Sequence, residues 1–355
     1  MSTCCRYGVD ETSTLLNAVM TAAKPSLKSL LARHEVVLLI VIALEILLFQ
    51  SLGRRFLDGT NVSNIFRHSV EIGLLALAMT PVILTGGIDL SVGSMMGLCA
   101  VCFGIFVNEA AMSPLLAALL AVGIGTLGGG LNALLIARFQ LPPLIVTLGT
   151  FSLFRGLAEA LTKGSKSYSG FPDSFLALGN SDIAGVPAQI WIFLLVALGI
   201  WLLVHRMTIG RSFRAIGYSP EGARYAGIPV RRNLGLAYIL AGAIAGLAAV
   251  ILVARLGEAR ANAGIGYELL AITAVVLGGT SIFGGSGSVG GTLLGYLAVA
   301  VLNNGLSRIT AYQLFDQPIS SVARELSGML TGLLLLLALA VTPLAKALAA
   351  RRTKT

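Results

Sequence analysis

A carboxylate at membrane depth is the first residue of this chain that could do chemistry. Asp89 lies in Thr85-Gly86-Gly87-Ile88-Asp89-Leu90-Ser91-Val92-Gly93-Ser94, between the apolar runs 72–84 and 95–107. Such groups persist in hydrocarbon only where protein buries them or a wet cavity reaches them. An acid flanked by serines there could carry a proton, bind a cation or serve a membrane-embedded enzyme. The enzyme reading ranks last, because Asp89 has no second acid, histidine or metal set near it in the sequence. No catalytic residue and no metal site is therefore assigned. Asp89, Ser91 and Ser94, with Asn132 in a later glycine-rich run and Thr147 and Thr150 beyond Pro142-Pro143, are instead the candidates for lining or gating a polar path. Asp89 is also placed to cap a helix beginning at Leu90.

Other chemical signatures are weak or missing. Cys99 and Cys102 have CxxC spacing, but they sit inside an apolar run with no partner pair to complete a zinc set. The stretch from Gly285 to Gly290 matches GxGxxG without the flanking strand or the later acid that a dinucleotide site needs. There is no GxxxxGK[ST], so this chain binds no ATP through a P-loop.

The elements that must position these residues are membrane helices. Hydrophobic residues make up 56% of 355 and charged residues 12%, and the mean hydropathy is +0.87. At roughly 20 residues per span that composition predicts an all-α polytopic bundle of about ten transmembrane helices. They are read over 36–52, 70–84, 90–107, 115–136, 144–161, 188–204, 234–254, 269–283, 289–306 and 326–341. Residues 1–35 form an amino-terminal segment without an apolar signal core, 36–345 the transmembrane domain and 346–355 a basic tail. The 42 glycines, well above the usual ~7%, include GxxxG pairs at Gly125/Gly129, Gly242/Gly246, Gly291/Gly295 and Gly328/Gly332, a spacing that lets helices pack closely. In the fifth span Arg155 and Glu159 stand four apart and could pair on one face. The acid Glu45 in the first span should face other helices.

The net charge of +9 is concentrated. Six arginines against Glu221 in 205–232, and Lys346, Arg351, Arg352 and Lys354 in the tail, account for all of it. Because this charge flanks spans, it is read as positive-inside topology with both termini cytoplasmic, and not as nucleic-acid binding. Within 205–232, Ser219 is a good N-cap, Pro220 suits the first helical position, and Glu221 sits at the positive end of the helix dipole. Gly227 can close the helix in the left-handed conformation. Gly210, Arg211, Gly217, Ala223 and Arg224 complete a segment that reads as a short docking helix, hung on hinges in a long cytoplasmic loop. A faint repeat lays 85–94 over 277–286, matching Gly86/Gly278, Gly87/Gly279, Gly93/Gly285 and Ser94/Ser286. Paired broken segments of this kind mark transporter sites.

Four ordered motifs carry a resemblance over nearly all the chain beyond residue 35: TGGIDLSVGS, PPLIVTLGTFSLFRG, GRSFRAIGYSPEGARYAGI and GGTSIFGGSGSVGGTLLG. The sequence resembles the ribose/xylose/arabinose-type sugar permeases of bacterial ABC importers. That resemblance implies a dimeric inner-membrane pore made with a second copy or a paralogue. It also implies two cytoplasmic ATPase subunits that hold ATP-Mg, a periplasmic sugar-binding protein, and a docking segment that transmits the ATPase stroke. No cofactor is expected on this chain. Departures are Ser219 where the family usually has Asn, Ala133 after Asn132 where Gly is usual, and Ser286 where a basic residue is common. Two rivals follow from the same residues: an ion-coupled secondary transporter using Asp89, Glu45 or Glu159, and the related branched-chain amino-acid permease type.

Overall fold

The computed structural model describes residues 34–52 and 56–308, with 313–314, 317–318, 329 and 332–333 beyond. The amino-terminal segment up to residue 33, nearly all of the expected last span at 326–341, Gly328 and the basic tail lie outside the described residues. Apart from three two-residue ladders, the described elements are helical. Among the described residues six helices are long and apolar enough to cross a membrane, or seven if one bent pair is a single span.

Helix α1 (His34–Leu52) leads to the short α2 (Gly59–Arg67), which bends by 47° into α3 (Val70–Leu84). All 15 residues of α3 are buried, so this helix is the centre of the bundle and not a lipid-facing span. Pro81 in its last turn supplies no amide donor, and the helix stops three residues later. Then come α4 (Val92–Asn108) and α5 (Pro114–Ala133), the latter continued by a π-helical turn at Leu134–Arg138. The left-handed Gln140 and the prolines 142 and 143 reverse the chain into α6 (Pro143–Leu161). The loop beyond α6 is structured. It holds β1 (Tyr168–Ser169), α7 (Asp173–Asn180) and a hairpin of β2 (Asp182–Ile183) with β3 (Val186–Pro187), whose turn residues Ala184 and Gly185 both have positive φ.

Helix α8 (Ala188–Trp201) also ends in a π turn, Leu202–Arg206, and is followed by α9 (Thr208–Tyr218) and α10 (Pro220–Tyr225). The longest helix, α11 (Val230–Leu256), packs on α5, α3 and α4. Its contact with α5 is made by the two GxxxG motifs face to face: a Cβ on Gly125 or Gly129 would strike the Tyr238 or Gly242 backbone, and a Cβ on Gly242 would strike Gly125. After β4 (Glu258–Ala259), which pairs antiparallel with β1, come α12 (Tyr267–Leu277) and α13 (Val289–Arg308). These two close on each other through Gly278, Gly291 and Gly295 in the same way.

The bundle has two distinct ends. One carries β1–β4, the Arg67–Asp182 ion pair at 2.5 Å and the Asn108 amide bonded to the Ser169 carbonyl at 2.6 Å. The other carries the end of α3, the arginine-rich α9–α10 and the glycine-rich turn 278–288. Close to the first end, Glu71 of α3 and Arg255 of α11 form a buried ion pair at 2.8 Å.

Candidate functional site

Two polar assemblies occupy the end of α3. The first is the break between α3 and α4. The chain leaves the helix with Gly86 and Gly87 donating to the Ile83 and Val82 carbonyls, and Gly86 takes a φ of +80° that a side chain would strain. Asp89 then turns the chain: its Oδ1 accepts the Ser91 amide at 2.9 Å and the Ser91 hydroxyl at 2.6 Å. Helix α4 begins at Val92, with Ser91 at the cap position. Asp89 thus braces the turn ahead of the helix, a correction to the expected cap of a helix starting at Leu90. The reason is geometric, since an Asp side chain reaches the amide two residues on as readily as a helical one.

From Ser91 the hydrogen bonds continue across the bundle. Asn132 Nδ2 of α5 donates to Ser91 Oγ at 2.9 Å, and Thr150 Oγ1 of α6 donates to Asn132 Oδ1 at 2.8 Å. Thr147 Oγ1 donates to the Ile88 carbonyl at 3.2 Å, and Ser94 Oγ to the Ser91 carbonyl at 2.9 Å. All six residues named from the sequence therefore lie in one place. All six are buried, Thr147, Asn132 and Ser94 completely. Their polar atoms satisfy one another across three helices, which makes the arrangement a clamp on the break in this single chain. Tyr238 of α11, not singled out from the sequence, is also buried, with its hydroxyl over Gly87 and no hydrogen-bond partner. A lone tyrosine among the Ala, Gly and Leu of α11 was the available signal.

The second assembly is α9–α10. The expected long loop over 208–218 is a helix instead, because Gly210, Phe213 and Ile216 recur at three-residue steps and bury one face. Ser219 is extended and its Oγ accepts the Gly222 amide at 3.0 Å, with Pro220 opening α10. Ala223 packs with Ile216 and Val230, while Arg211, Glu221 and Arg224 are exposed. The Ile228 amide bonds the Ala223 carbonyl at 3.0 Å, and Gly227 has a φ of +77°. Tyr218 and Tyr225 stand 90% and 92% exposed, large aromatic surfaces that the described residues leave open.

The two assemblies touch through glycine. A Cβ on Gly217 of α9 would collide with the Leu84 carbonyl and the Gly285 amide, and one on Gly284 with the Gly86 backbone. The Gly285 amide donates to the Leu84 carbonyl at 3.0 Å. Arg214 donates to the Val204 carbonyl at 3.1 Å and to the Gly287 carbonyl at 3.5 Å. The break and its faint sequence echo are thus direct neighbours, and α9 rests on both. Further out, Arg155 does not pair with Glu159 as expected. Its Nη1 bonds the carbonyls of Ala261 and Ala263, the latter at 3.1 Å. Glu45 is half-buried with Oε2 lacking a partner. Among the described residues no three His, Cys, Asp or Glu side chains are grouped to hold a metal, and Cys99 and Cys102 are free thiols.

The family described as the branched-chain amino acid transport system permease component matches residues 61–339, which includes both assemblies. The chain belongs to that family. It is a multi-pass transport permease, and its similarity to individual relatives runs along nearly its whole length. It is 38% identical over 307 residues to the autoinducer 2 import system permease protein LsrD of Escherichia coli (strain K12), covering 85% of this chain and 89% of that protein. It is 38% identical over 309 residues to the LsrD of Photorhabdus luminescens, covering 86% and 89%. The family's description and these relatives' names therefore differ in solute, and they agree on a permease.

Proposed function

We propose that this permease is the membrane subunit of an ATP-driven importer for a neutral, sugar-like solute. The observation that carries the proposal is the seating of Gly217 against Leu84 and Gly285. It gives a helix hung from the arginine-rich face a rigid purchase on both interruptions of the bundle. The relatives' role in autoinducer 2 import favours a small hydroxylated cargo over an amino acid. The clamp of Asp89, Ser91, Ser94, Asn132, Thr147 and Thr150 then acts as a gate: it holds the start of α4 until the stroke reaches it.

In this reading ATP-Mg is bound and hydrolysed on separate cytoplasmic ATPase chains, which dock on α10 and the exposed Tyr218, Glu221, Arg224 and Tyr225. A periplasmic binding protein delivers the solute, and a second permease copy or paralogue completes the pore. The topology is ten spans: α3 as one, the short α4 and α12 as two more, and 326–341 as the last. The arginine-rich end is cytoplasmic, as are both termini. Residues 36–345 make up the permease domain, with 1–35 and 346–355 as its cytoplasmic flanks.

The stroke is mechanical. Movement of α10 is passed to α9 through the Ile216–Ala223–Val230 cluster. From α9 it reaches the Leu84 carbonyl and the Gly285 amide, and so the two broken segments together. Coupling by ions through Asp89 is disfavoured because its hydrogen-bonded Oδ1 is occupied by Ser91.

The test is reconstitution of the permease with an ATPase and a binding protein of the same importer family, followed by uptake of autoinducer 2, D-ribose and L-leucine. Uptake of a hydroxylated solute that needs the ATPase and survives collapse of the proton gradient is expected. Uptake without the ATPase, or of L-leucine alone, would sink the reading.

A further inference from the structure

A cavity of about 860 Å³ lies at the arginine-rich end, where α5 with its π turn, α9 and α11 meet. One wall is apolar. Leu134, Leu236 and Ile239 line it, and a Cβ on Gly130 would meet nothing within 4 Å. Arg138, Arg231 and Arg232 line it too, all three exposed, and no Asp or Glu does. Among the described residues none of these arginines is in an ion pair. Asn233 also lines the cavity. It is only 6% exposed, and no described residue hydrogen-bonds its side chain.

The helix ends add to this positive potential. Arg231 and Arg232 stand in the first turn of α11, and Thr208 and Ile209 open α9 on the same cavity. Neither first turn carries an acid. Cations at the positive end of a helix dipole are unfavourable until an anion compensates them. The apolar spans Pro114–Arg138 and Val230–Leu256 end and begin at these arginines, which puts the charge at the boundary of hydrocarbon and water. From the cavity an exposed apolar stripe continues along α5 through Leu134, Leu127 and Leu120, at seven-residue steps that keep one helix face.

We infer that this cavity binds an anionic phospholipid, its phosphate held by Arg138, Arg231 and Arg232 and its chains laid along the α5 stripe. Guanidinium groups meet phosphate oxygens in bidentate pairs. Basic pockets between membrane helices on the cytoplasmic side take such headgroups. The Asn233 amide offers both a donor and an acceptor to the headgroup's ester and hydroxyl oxygens. A free phosphate would use the cations and leave the apolar wall wet. A second copy of this chain, meeting the same face across a twofold axis, would set like charges against each other. The lipid bridges α9 to α5 and α11, so it steadies the helix that carries Gly217 whatever the cargo is.

The test counts bound lipid. Full-length permease, purified in neutral detergent and stripped of lipid, is titrated with dioleoyl phosphatidylglycerol or dioleoyl phosphatidylcholine and followed by native mass spectrometry. The wild type should hold phosphatidylglycerol at least about tenfold more tightly, the equivalent of ~1.4 kcal/mol. Arg138→Gln, Arg231→Gln and Arg232→Gln should each weaken that binding about fivefold, or ~1 kcal/mol per arginine. Gly130→Phe fills the cavity without changing the charge, and it should remove the tight site as well. Arg206→Gln, Arg211→Gln and Arg224→Gln, at the same end but off the cavity, should leave it intact. Equal binding of the two lipids, or equal losses in both sets of arginine variants, overturns the site in favour of diffuse surface charge. Inorganic phosphate that displaces the lipid and binds as tightly would replace the lipid by a free phosphate. A Gly130→Phe protein that keeps its lipid but loses self-association would give the cavity to a second copy instead.

Discussion

The Leu84 carbonyl accepts the amide of Gly285 across 201 positions of sequence, at 3.0 Å. Each residue stands where a membrane segment is interrupted, and Gly217 of α9 closes over the pair. The hydrogen bond makes one mechanical unit of two breaks, and that unit is what a cytoplasmic stroke would reach first.

Gly217→Val should therefore separate ATP hydrolysis from transport. Its side chain has backbone on two sides and no flexible neighbour to displace, so overpacking of ~1–3 kcal/mol is expected. Uptake per ATP hydrolysed in the reconstituted importer should fall at least tenfold, with the permease still inserted. An unchanged ratio would mean that α9 does not drive the breaks.

Ser219→Ala removes the acceptor for the Gly222 amide and should weaken α10 by ~1 kcal/mol. Ser219→Asn keeps capping ability. Copurification with the ATPase should thus drop for the alanine variant and hold for the asparagine one. Equal retention by both would show that docking is indifferent to the cap.

For the clamp, Asn132→Ala and Thr150→Val should each destabilise the permease by ~1–3 kcal/mol, because each leaves a buried polar partner unsatisfied. The double variant should cost less than the two single effects combined, with a coupling of ~0.5–3 kcal/mol. Thermal midpoints of the four proteins give the cycle. Strict additivity would mean that the Thr150–Asn132 bond is not made in the membrane.

Glu71→Gln leaves the buried Arg255 without its partner, and a loss of ~3–5 kcal/mol is expected, mostly recovered when Arg255→Leu is added. Denaturation of the purified permease in mild detergent checks both changes. A harmless single substitution would place the pair in contact with water.

At the loop end, the hydrogen bond and charge of Lys166 hold the Glu109 carboxyl below the usual glutamate range, with help from Tyr168. A lowered folded value contributes stability that is complete above the ordinary glutamate pKa, ~4.3, and is lost as pH falls through the folded value. Both side chains are exposed, so the contribution is small and sensitive to salt. Protease cleavage near 163–170 should therefore be flat at neutral pH and rise only in acid. Glu109→Gln should remove that rise, and a rise that persists would assign the acid sensitivity to another group.

Much of this permease was legible before any coordinates. Apolar runs of span length, arginines gathered in 205–232 and polar residues set in hydrocarbon follow from composition and spacing, because the bilayer admits so few backbone solutions. The Ser219 cap, the Pro220 start and the left-handed Gly227 were equally readable, since caps and turns are decided by residues within four positions of one another. So was the closeness of Asp89 to Ser91.

Partners across the bundle were not legible. Spacing alone offered Arg155 to Glu159, yet the loop ahead of α12 brings the Ala261 and Ala263 carbonyls to it. The glycine matches between 85–94 and 277–286 were a thin signal in so glycine-rich a chain. Only the tertiary fold decided that the two breaks touch, that Asn132 bridges Ser91 to Thr150, and that Gly217 bears on both breaks. The physical reason is common to all three: a sequence fixes which backbone atoms a residue leaves unpaired, and close packing of distant helices selects what satisfies them.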